Sequence, residues 1–493
     1  LGVGQSFRSL ASRLHAGHRM PDIAIIGAGI SGLAAAHALA AAGRDVIVLD
    51  RREAPGGRIH SERRGGFLVE HGPNSMISPA PGAEALIATL GLGEERIDKS
   101  DAVRHRYLVR DGRAHALPLD PVGFFSSGFF TLRGRLRLLA EPFVARGPDD
   151  ESVAEFVRRR FGRELLDYVF DPLVGGLYAG DPANMSMTAV FPRLKEIELR
   201  HGSVLRGMAA KMRRGASMRY DPRRRMLFSF RMGMDTLPRR LAGMLGSRLR
   251  PGTRVEAIAP AAGGGFRLRV RERDHLATLH AGRVVVAAPA YAAARLLAAF
   301  SSDAADAAAG IEHPPLAVVA LGFDRRRLAH PLDGPGVLTP AVERRNVLGF
   351  LFSSTLFSGR APDGHALLTA YVGGARSPEL AQLPREELTA LVRAEARELL
   401  GAQGEPVFES VRYWQRGLPQ PGLGHPERVA ALSALEAEWP GLFLTGNYFA
   451  GISTAACIDA ARATACRALG LPGAQRNGTS SVDGARHTVS LQA

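Results

Sequence analysis

Cysteine is scarce in this 493-residue chain, with only Cys457 and Cys466. Nine residues apart on a helix is about 900°, which sends the two thiols to opposite faces, so no disulfide is expected between them. A cysteine-rich zinc site is excluded, and the chain does not require an oxidising compartment. Lysine is almost missing: Lys99, Lys195 and Lys211 are the only three, so the basic excess (63 Lys+Arg against 48 Asp+Glu, net +15) is carried by arginine. Such a surplus suits an anionic partner. No helix-turn-helix, zinc-finger or aromatic-platform pattern accompanies it, so no nucleic-acid partner is expected. The arginine runs 158–160, 223–225 and 325–327 read as solvated faces.

No Ser-His-Asp, Cys-His or metal-ligand constellation occurs, and no metal site is expected. Long apolar runs are also missing. Residues 23–43 come nearest, but Gly27, Gly29, Gly32 and Gly43 interrupt them, so strand, turn and helix fit better than a membrane span. Residues 1–19 carry Arg8, Arg13 and Arg19 and no acid, as a mitochondrial presequence does. The preferred reading starts the protein at Met20, directly before a strand, with an upstream extension ahead of it. No secretion signal is found, and a cytoplasmic location is expected. Residues 1–19 and the polar, aperiodic 473–493 are expected to be disordered. Over the whole chain, 46% hydrophobic and 23% charged residues match ordinary globular protein, and the length allows two or three domains.

What is present begins with Ile23-Ala24-Ile25-Ile26, a short fully buried strand. Gly27-Ala28-Gly29-Ile30-Ser31-Gly32 follows with the G-x-G-x-x-G spacing: a tight turn, close backbone approach to a diphosphate, and close helix–strand packing. A helix over 31–42 points its N-terminus at the phosphates, Gly43 ends it, and 45–49 form a second strand. Asp50 lies where a carboxylate meets a ribose hydroxyl. The order strand, turn, helix, strand and acid predicts a dinucleotide site.

Gly56-Gly57-Arg58 after the second strand resembles the flavoprotein superfamily of amine oxidases, phytoene desaturases and protoporphyrinogen oxidases. More specific are Glu70-His71-Gly72-Pro73-Asn74-Ser75, then Asp171-Pro172-Leu173-Val174-Gly175-Gly176-Leu177-Tyr178-Ala179-Gly180-Asp181-Pro182, and Trp414-Gln415-Arg416-Gly417-Leu418-Pro419-Gln420 with Gly424-His425. On these motifs the chain, from about residue 22 to 469, resembles oxygen-dependent protoporphyrinogen oxidases. The resemblance implies non-covalent FAD held by Gly27, Ala28, Gly29, Ile30, Ser31, Gly32, Asp50, Arg51, Gly57, Arg58, Gly72, Pro73, Asn74, Ser75, Val255, Trp414, Gly446, Asn447, Ile452, Ser453 and Thr454. Ala456 departs from the more polar residue of many relatives. The two cysteines read as packed small residues rather than flavin attachment points.

The implied fold is α/β: a discontinuous Rossmann-like FAD domain (20–80, 231–295, 416–472), an α+β substrate domain (296–415) and a helical, membrane-binding lobe (81–230). The implied activity is oxidation of protoporphyrinogen IX to protoporphyrin IX by molecular oxygen, releasing hydrogen peroxide, in heme synthesis. Coproporphyrinogen III oxidation, another amine oxidase or desaturase activity, and a non-enzymatic flavin-binding role remain as alternatives. The amine oxidases' mid-domain lysine has no counterpart, since no lysine follows Lys211. Substrate contacts are expected at Leu338, Leu351 and Tyr371, on strands predicted over 335–372, with Arg106 pairing a propionate. Periodicity alone reads the first three as core and Arg106 as an exposed strand residue. Relatives often have Phe at Tyr371, so its hydroxyl needs a partner. No catalytic residue is assigned.

Residues 121–143 interleave Phe124, Phe125, Phe129, Phe130, Leu132, Leu136, Leu138, Leu139 and Phe143 with Arg133, Arg135 and Arg137, with no acid between Asp120 and Glu141. This suits a peripheral site on the inner face of the cell membrane, aromatics at the headgroups and arginines on anionic lipid. It also suits a core helix. The next enzyme of heme synthesis is a further expected partner.

Overall fold

The computed structural model describes residues 20–117, 123, 126–213, 227–449 and 451–471. The end segments, the run 223–225, Phe124 and Phe125 lie outside the described residues.

Five parallel strands form the first sheet, in the order Leu249–Arg250, Val46–Leu49, Ile23–Ile26, Arg283–Val286, Leu442–Leu444. In chain order this is 3-2-1-4-5, and the direction of winding reverses between Ile23–Ile26 and Arg283–Val286. Cover on both faces, helices on one and a three-stranded meander with helices on the other, explains why these strands are apolar runs rather than alternating ones. Ile23, Ile25, Val46 and Val48 enter one core with helices Ile30–Ala41 and Thr454–Ala468. Ala24, Ile26, Ile47 and Leu49 enter the other, under the meander Thr253–Pro260, Phe266–Glu272, His275–Ala281. Gly263-Gly264-Gly265 make the first turn of that meander.

The second sheet has seven strands, in the order Phe408–Trp414, Leu316–Asp324, His365–Gly373, Gly349–Phe352, Gly336–Leu338, Tyr107–Arg110, Arg113–Ala116. All neighbours are antiparallel except Gly336–Leu338 beside Tyr107–Arg110. The hairpin over 107–116 falls within the stretch assigned to the lobe, yet it completes this sheet. Alternation sends Val319, Val337, Phe350, Leu368 and Ala370 under helix Arg385–Leu400. Leu338, Leu351, Tyr371 and Trp414 therefore share the opposite face.

Against the Leu108 and Leu338 end of that face lies a helical body: Leu132–Leu139, Val153–Arg160, Asp171–Tyr178, Pro192–His201 and Val204–Arg213. Here the aromatic reading of 121–143 is corrected. Phe129 and Phe130 are buried (7% and 3% exposed) in this core, because their rings pack on each other and on Tyr168. A network of ion pairs fastens the body. Glu198 accepts from Arg159, Arg160 and Lys195, Glu141 from Arg160 and Ser203, and Glu151 from Arg159 and Lys195. Arg160, Glu141 and Glu198 are wholly buried.

Candidate active site

The first strand ends at Ile26 and the chain turns at once. Gly27 has φ +109°, a conformation L side chains avoid, and a Cβ there would stand 2.8 Å from the Ala287 carbonyl oxygen. It marks the point where the two central strands part, the place open α/β sheets use for ligands. A Cβ on Gly32 would fall 1.8 Å from the Gly27 carbonyl oxygen, so the helix can close on the strand only with glycine. Gly29 differs. A Cβ on it meets nothing within 4 Å, and it caps the helix that Ile30 and Ser31 open. The space before it is a cradle lined by the helix's first N–H groups, and a diphosphate fits it.

Three further segments close around this turn. Asp50 Oδ2 accepts from Ala28 N at 2.6 Å and Oδ1 from Arg52 N at 2.8 Å, so the expected ribose ligand also braces the turn. Gly56 N donates to Ala28 O, and Gly57 backs onto Gly29. Gly72 lies so close to Arg58 that a Cβ would meet its carbonyl oxygen, which brings the loop 72–75 in. Thr253 N donates to Asp50 O, placing Val255 nearby, at a slip in strand register. Ser453 Oγ caps helix Thr454–Ala468, and Cys457, one turn on, contacts Ser31, so 452–454 stand beside the first helix. Burial pushes the Cys457 thiol up to about 11; it stays protonated and packed. Gly446 and Asn447 follow the last strand, and the adjacent Thr445 Oγ1 is buried without a hydrogen-bond partner among the described residues. Of the expected contacts, Arg51 is exposed.

Arg58 is held beneath the indole of Trp414, 5.3 Å from its centroid, with Arg412 at 4.9 Å and Arg52 at 5.9 Å. The indole Nε1 donates to His71 O, tying the strand Phe408–Trp414 to the loop 72–75. Burial lowers Arg58 to about 10, and Tyr291 acts in the opposite sense. Burial likewise holds His313 down to about 4, so it is neutral near pH 7. Arg52 spends its own bond on the Gly57 carbonyl. Guanidiniums gathered around an aromatic ring and backbone suit an anionic group. Arg52 and Arg412 escaped the sequence reading; only the two-residue spacing to Trp414 could have suggested Arg412.

On the sheet face beyond, Leu338, Leu351 and Tyr371 are each partly accessible. Helix Asp171–Tyr178 covers one end, with Gly176 so near Leu338 that a Cβ would meet its Cδ2 at 2.6 Å. Arg376 Nη2 donates to Asp171 Oδ1 and to its carbonyl, each at 2.6 Å, and Ala375 N donates to Ala179 O. The long glycine motif is thereby laced to the turn after His365–Gly373. Arg106 is exposed, just before Tyr107–Arg110; its carbonyl still accepts from Leu117 N, which continues the hairpin and carries Arg106 to the Leu108 face, at the rim. No cluster of three or more His, Cys, Asp or Glu able to hold a metal occurs among the described residues.

The family model described as flavin containing amine oxidoreductase matches residues 30–469. Over 473 residues the chain is 31% identical to a chloroplastic protoporphyrinogen oxidase of Nicotiana tabacum, covering 91% of this chain and 85% of that protein. It is 28% identical over 466 residues to a coproporphyrinogen III oxidase of Bacillus subtilis (strain 168), covering 91% and 97%. A solved structure of a putative protoporphyrinogen oxidase from Exiguobacterium sp. 255-15 superposes with a TM-score of 0.77 at 24% identity, over 91% of this chain and 98% of that one.

Proposed function

The chain belongs to the flavin containing amine oxidoreductase family, and from that premise we propose that this oxidoreductase converts a porphyrinogen, protoporphyrinogen IX first of all, to its porphyrin in heme synthesis. The observation that carries the reading is the apolar wall of Leu338, Leu351 and Tyr371, roofed by the glycine face of helix Asp171–Tyr178 and facing the loop 72–75. A wide, flexible macrocycle needs such a wall more than it needs acids and bases. The bound flavin supplies a two-electron acceptor. The turn 27–32, Arg58 and the helix N-termini hold it without a covalent bond, the wall orients the macrocycle and excludes water, and Arg106 meets a propionate at the rim. Six electrons leave in three rounds, and with oxygen as final acceptor three hydrogen peroxide molecules form per porphyrin.

Purified protein given protoporphyrinogen IX should produce porphyrin fluorescence well above autoxidation, with three peroxides per ring. Oxidation no faster than the uncatalysed background ends the reading. A second reading, coproporphyrinogen III as substrate, draws on the Bacillus subtilis relative, which matches over the same share of the chain; competition between the two substrates decides.

Because Arg106 is exposed, its pair with a carboxylate is worth little. Arg106→Ala should lower kcat/KM about two- to fivefold with flavin content unchanged. Identical kinetics would remove Arg106 from the site.

With Phe129 and Phe130 in the core, the membrane proposal narrows to the exposed side of the same segment. Leu132, Leu136, Leu139 and Phe143 are 70, 57, 55 and 85% exposed, and the first three recur at i, i+4 and i+7 on one helix side, with Arg133 exposed beside them. No described helix is long and apolar enough to cross a membrane. This stripe rests on an anionic lipid surface. Flotation with anionic vesicles, weakened by salt, should disappear when the four become serine, while activity in detergent persists. Equal flotation of that variant would discard the stripe.

A further inference from the structure

Where the loop 72–75 touches the wall, the hydroxyl of Tyr371, so far given no role beyond the ring that carries it, meets the side chains of Asn74 and Ser75. Ser75 Oγ donates to Asn74 Oδ1 at 3.0 Å, and Asn74 Nδ2 donates to the Tyr371 hydroxyl oxygen at 3.3 Å. Around them the wall is apolar: Tyr371 packs with Ala179, Leu316 and Leu348. Tyr371 lies deep, and burial pushes its hydroxyl up to about 12, so it stays protonated through any working pH. Yet Tyr371, Asn74 and Ser75 all keep accessible surface, so they border open space rather than solid core. The valences left over are specific. The Tyr371 oxygen accepts from Asn74, and its own proton has no acceptor among the described residues. Asn74 keeps one N–H and one carbonyl lone pair. An unused donor and an unused acceptor stand together on a surface otherwise fit for hydrocarbon.

The chemistry of the ring gives them a task. A porphyrinogen carries hydrogen on all four nitrogens and offers donors only. Its porphyrin carries two N–H groups and two bare nitrogens, which are acceptors. A site that keeps the ring through successive oxidations must first accept from nitrogen and later donate to it. We propose that Asn74 and Tyr371 form that pair: the Asn74 carbonyl receives a ring N–H, and the Tyr371 hydroxyl donates to a nitrogen that has lost its hydrogen. This rests on porphyrinogen being the substrate. It makes Tyr371 a contact for the partly oxidised ring, where a phenylalanine would stack but not donate.

The test is Tyr371→Phe, with rates taken per bound flavin. Mixed anaerobically with protoporphyrinogen IX, the flavin of the variant should bleach at no less than about half the wild-type rate, because the first oxidation starts from a ring without acceptors. Aerobic porphyrin formation should slow by roughly five- to tenfold, the worth of about one hydrogen bond, and partly oxidised tetrapyrroles should accumulate. Equal slowing of both steps would make the hydroxyl merely structural and overturn the proposal, as would wild-type porphyrin formation. If porphyrinogen fails to bleach the wild-type flavin, the activity itself falls, a result distinct from either.

Discussion

Gly29→Val will yield a folded protein without flavin. The backbone at Gly29 is extended, φ −71° and ψ 174°, which valine adopts freely, and a Cβ meets no protein atom within 4 Å. The fold therefore has no objection to the side chain. The objection comes from the ligand: branched carbons would stand in the space where a diphosphate approaches the first helical N–H groups. Flavin affinity should drop by about a hundredfold or more, some 3 kcal/mol, read as loss of the yellow absorbance, with the far-ultraviolet spectrum retained. Gly32→Ala supplies the contrast. Its Cβ would collide with the Gly27 carbonyl 1.8 Å away, so it should damage folding and flavin binding together. Wild-type protein should release free FAD on acid denaturation. A Gly29→Val protein that purifies with full flavin would move the cofactor away from this turn.

Glu198→Ala should cost about 3–5 kcal/mol in the stability of the helical body. Glu198 is wholly buried and answers three cations, Arg159, Arg160 and Lys195. Removing it leaves Glu141 and Glu151 facing three positive charges, two of which, Arg160 and Lys195, are buried away from water. Burial pushes Glu198 up, but hydrogen bonds from Lys195, Arg159 and Arg160 prevail and hold it at about 2. A carboxylate held below its ordinary range contributes fully above about pH 4.5 and withdraws that contribution as pH falls toward 2. Wild type should therefore lose stability in that window by more than the variant does. Urea unfolding followed by fluorescence, at neutral and acid pH, checks both statements, and a variant as stable as wild type at pH 7 refutes them.

The elements that were legible in the sequence are those whose causes are local. Ile23–Ile26 is a strand because four apolar residues precede a glycine turn, and the helix that follows stops at Gly43 because glycine takes the positive φ there. The partners of these elements were not legible by the same logic. Asp50 reaches back 22 residues to a backbone N–H, and Arg376 finds Asp171 across 205 residues; neither contact leaves a periodic mark. The phenylalanines at 129 and 130 show a different limit. Aromatics interleaved with arginine read alike whether the rings enter a core or a headgroup layer, and only the packing of Tyr168 against Phe129 separates the two. The exposed leucines carried a signal in their i, i+4, i+7 spacing, but spacing names a face without naming what it faces.

The cofactor sheet takes its outer strand from Leu442–Leu444, and helix Thr454–Ala468 packs on Ile30–Ala41. A ribosome adds about 5–20 residues per second, so the helix Ile30–Ala41 waits on the order of 20–90 s for the helix that covers it. Over that interval Ile23–Ile26, joined by Arg283–Val286 once that strand is made, holds an apolar, half-covered surface, and the glycine turn has no opposing helix end. Flavin should not be seated until nearly the whole chain has been made. Its capture thus reports that synthesis reached the final helix, and a chain broken off before residue 442 should emerge colourless and aggregation-prone.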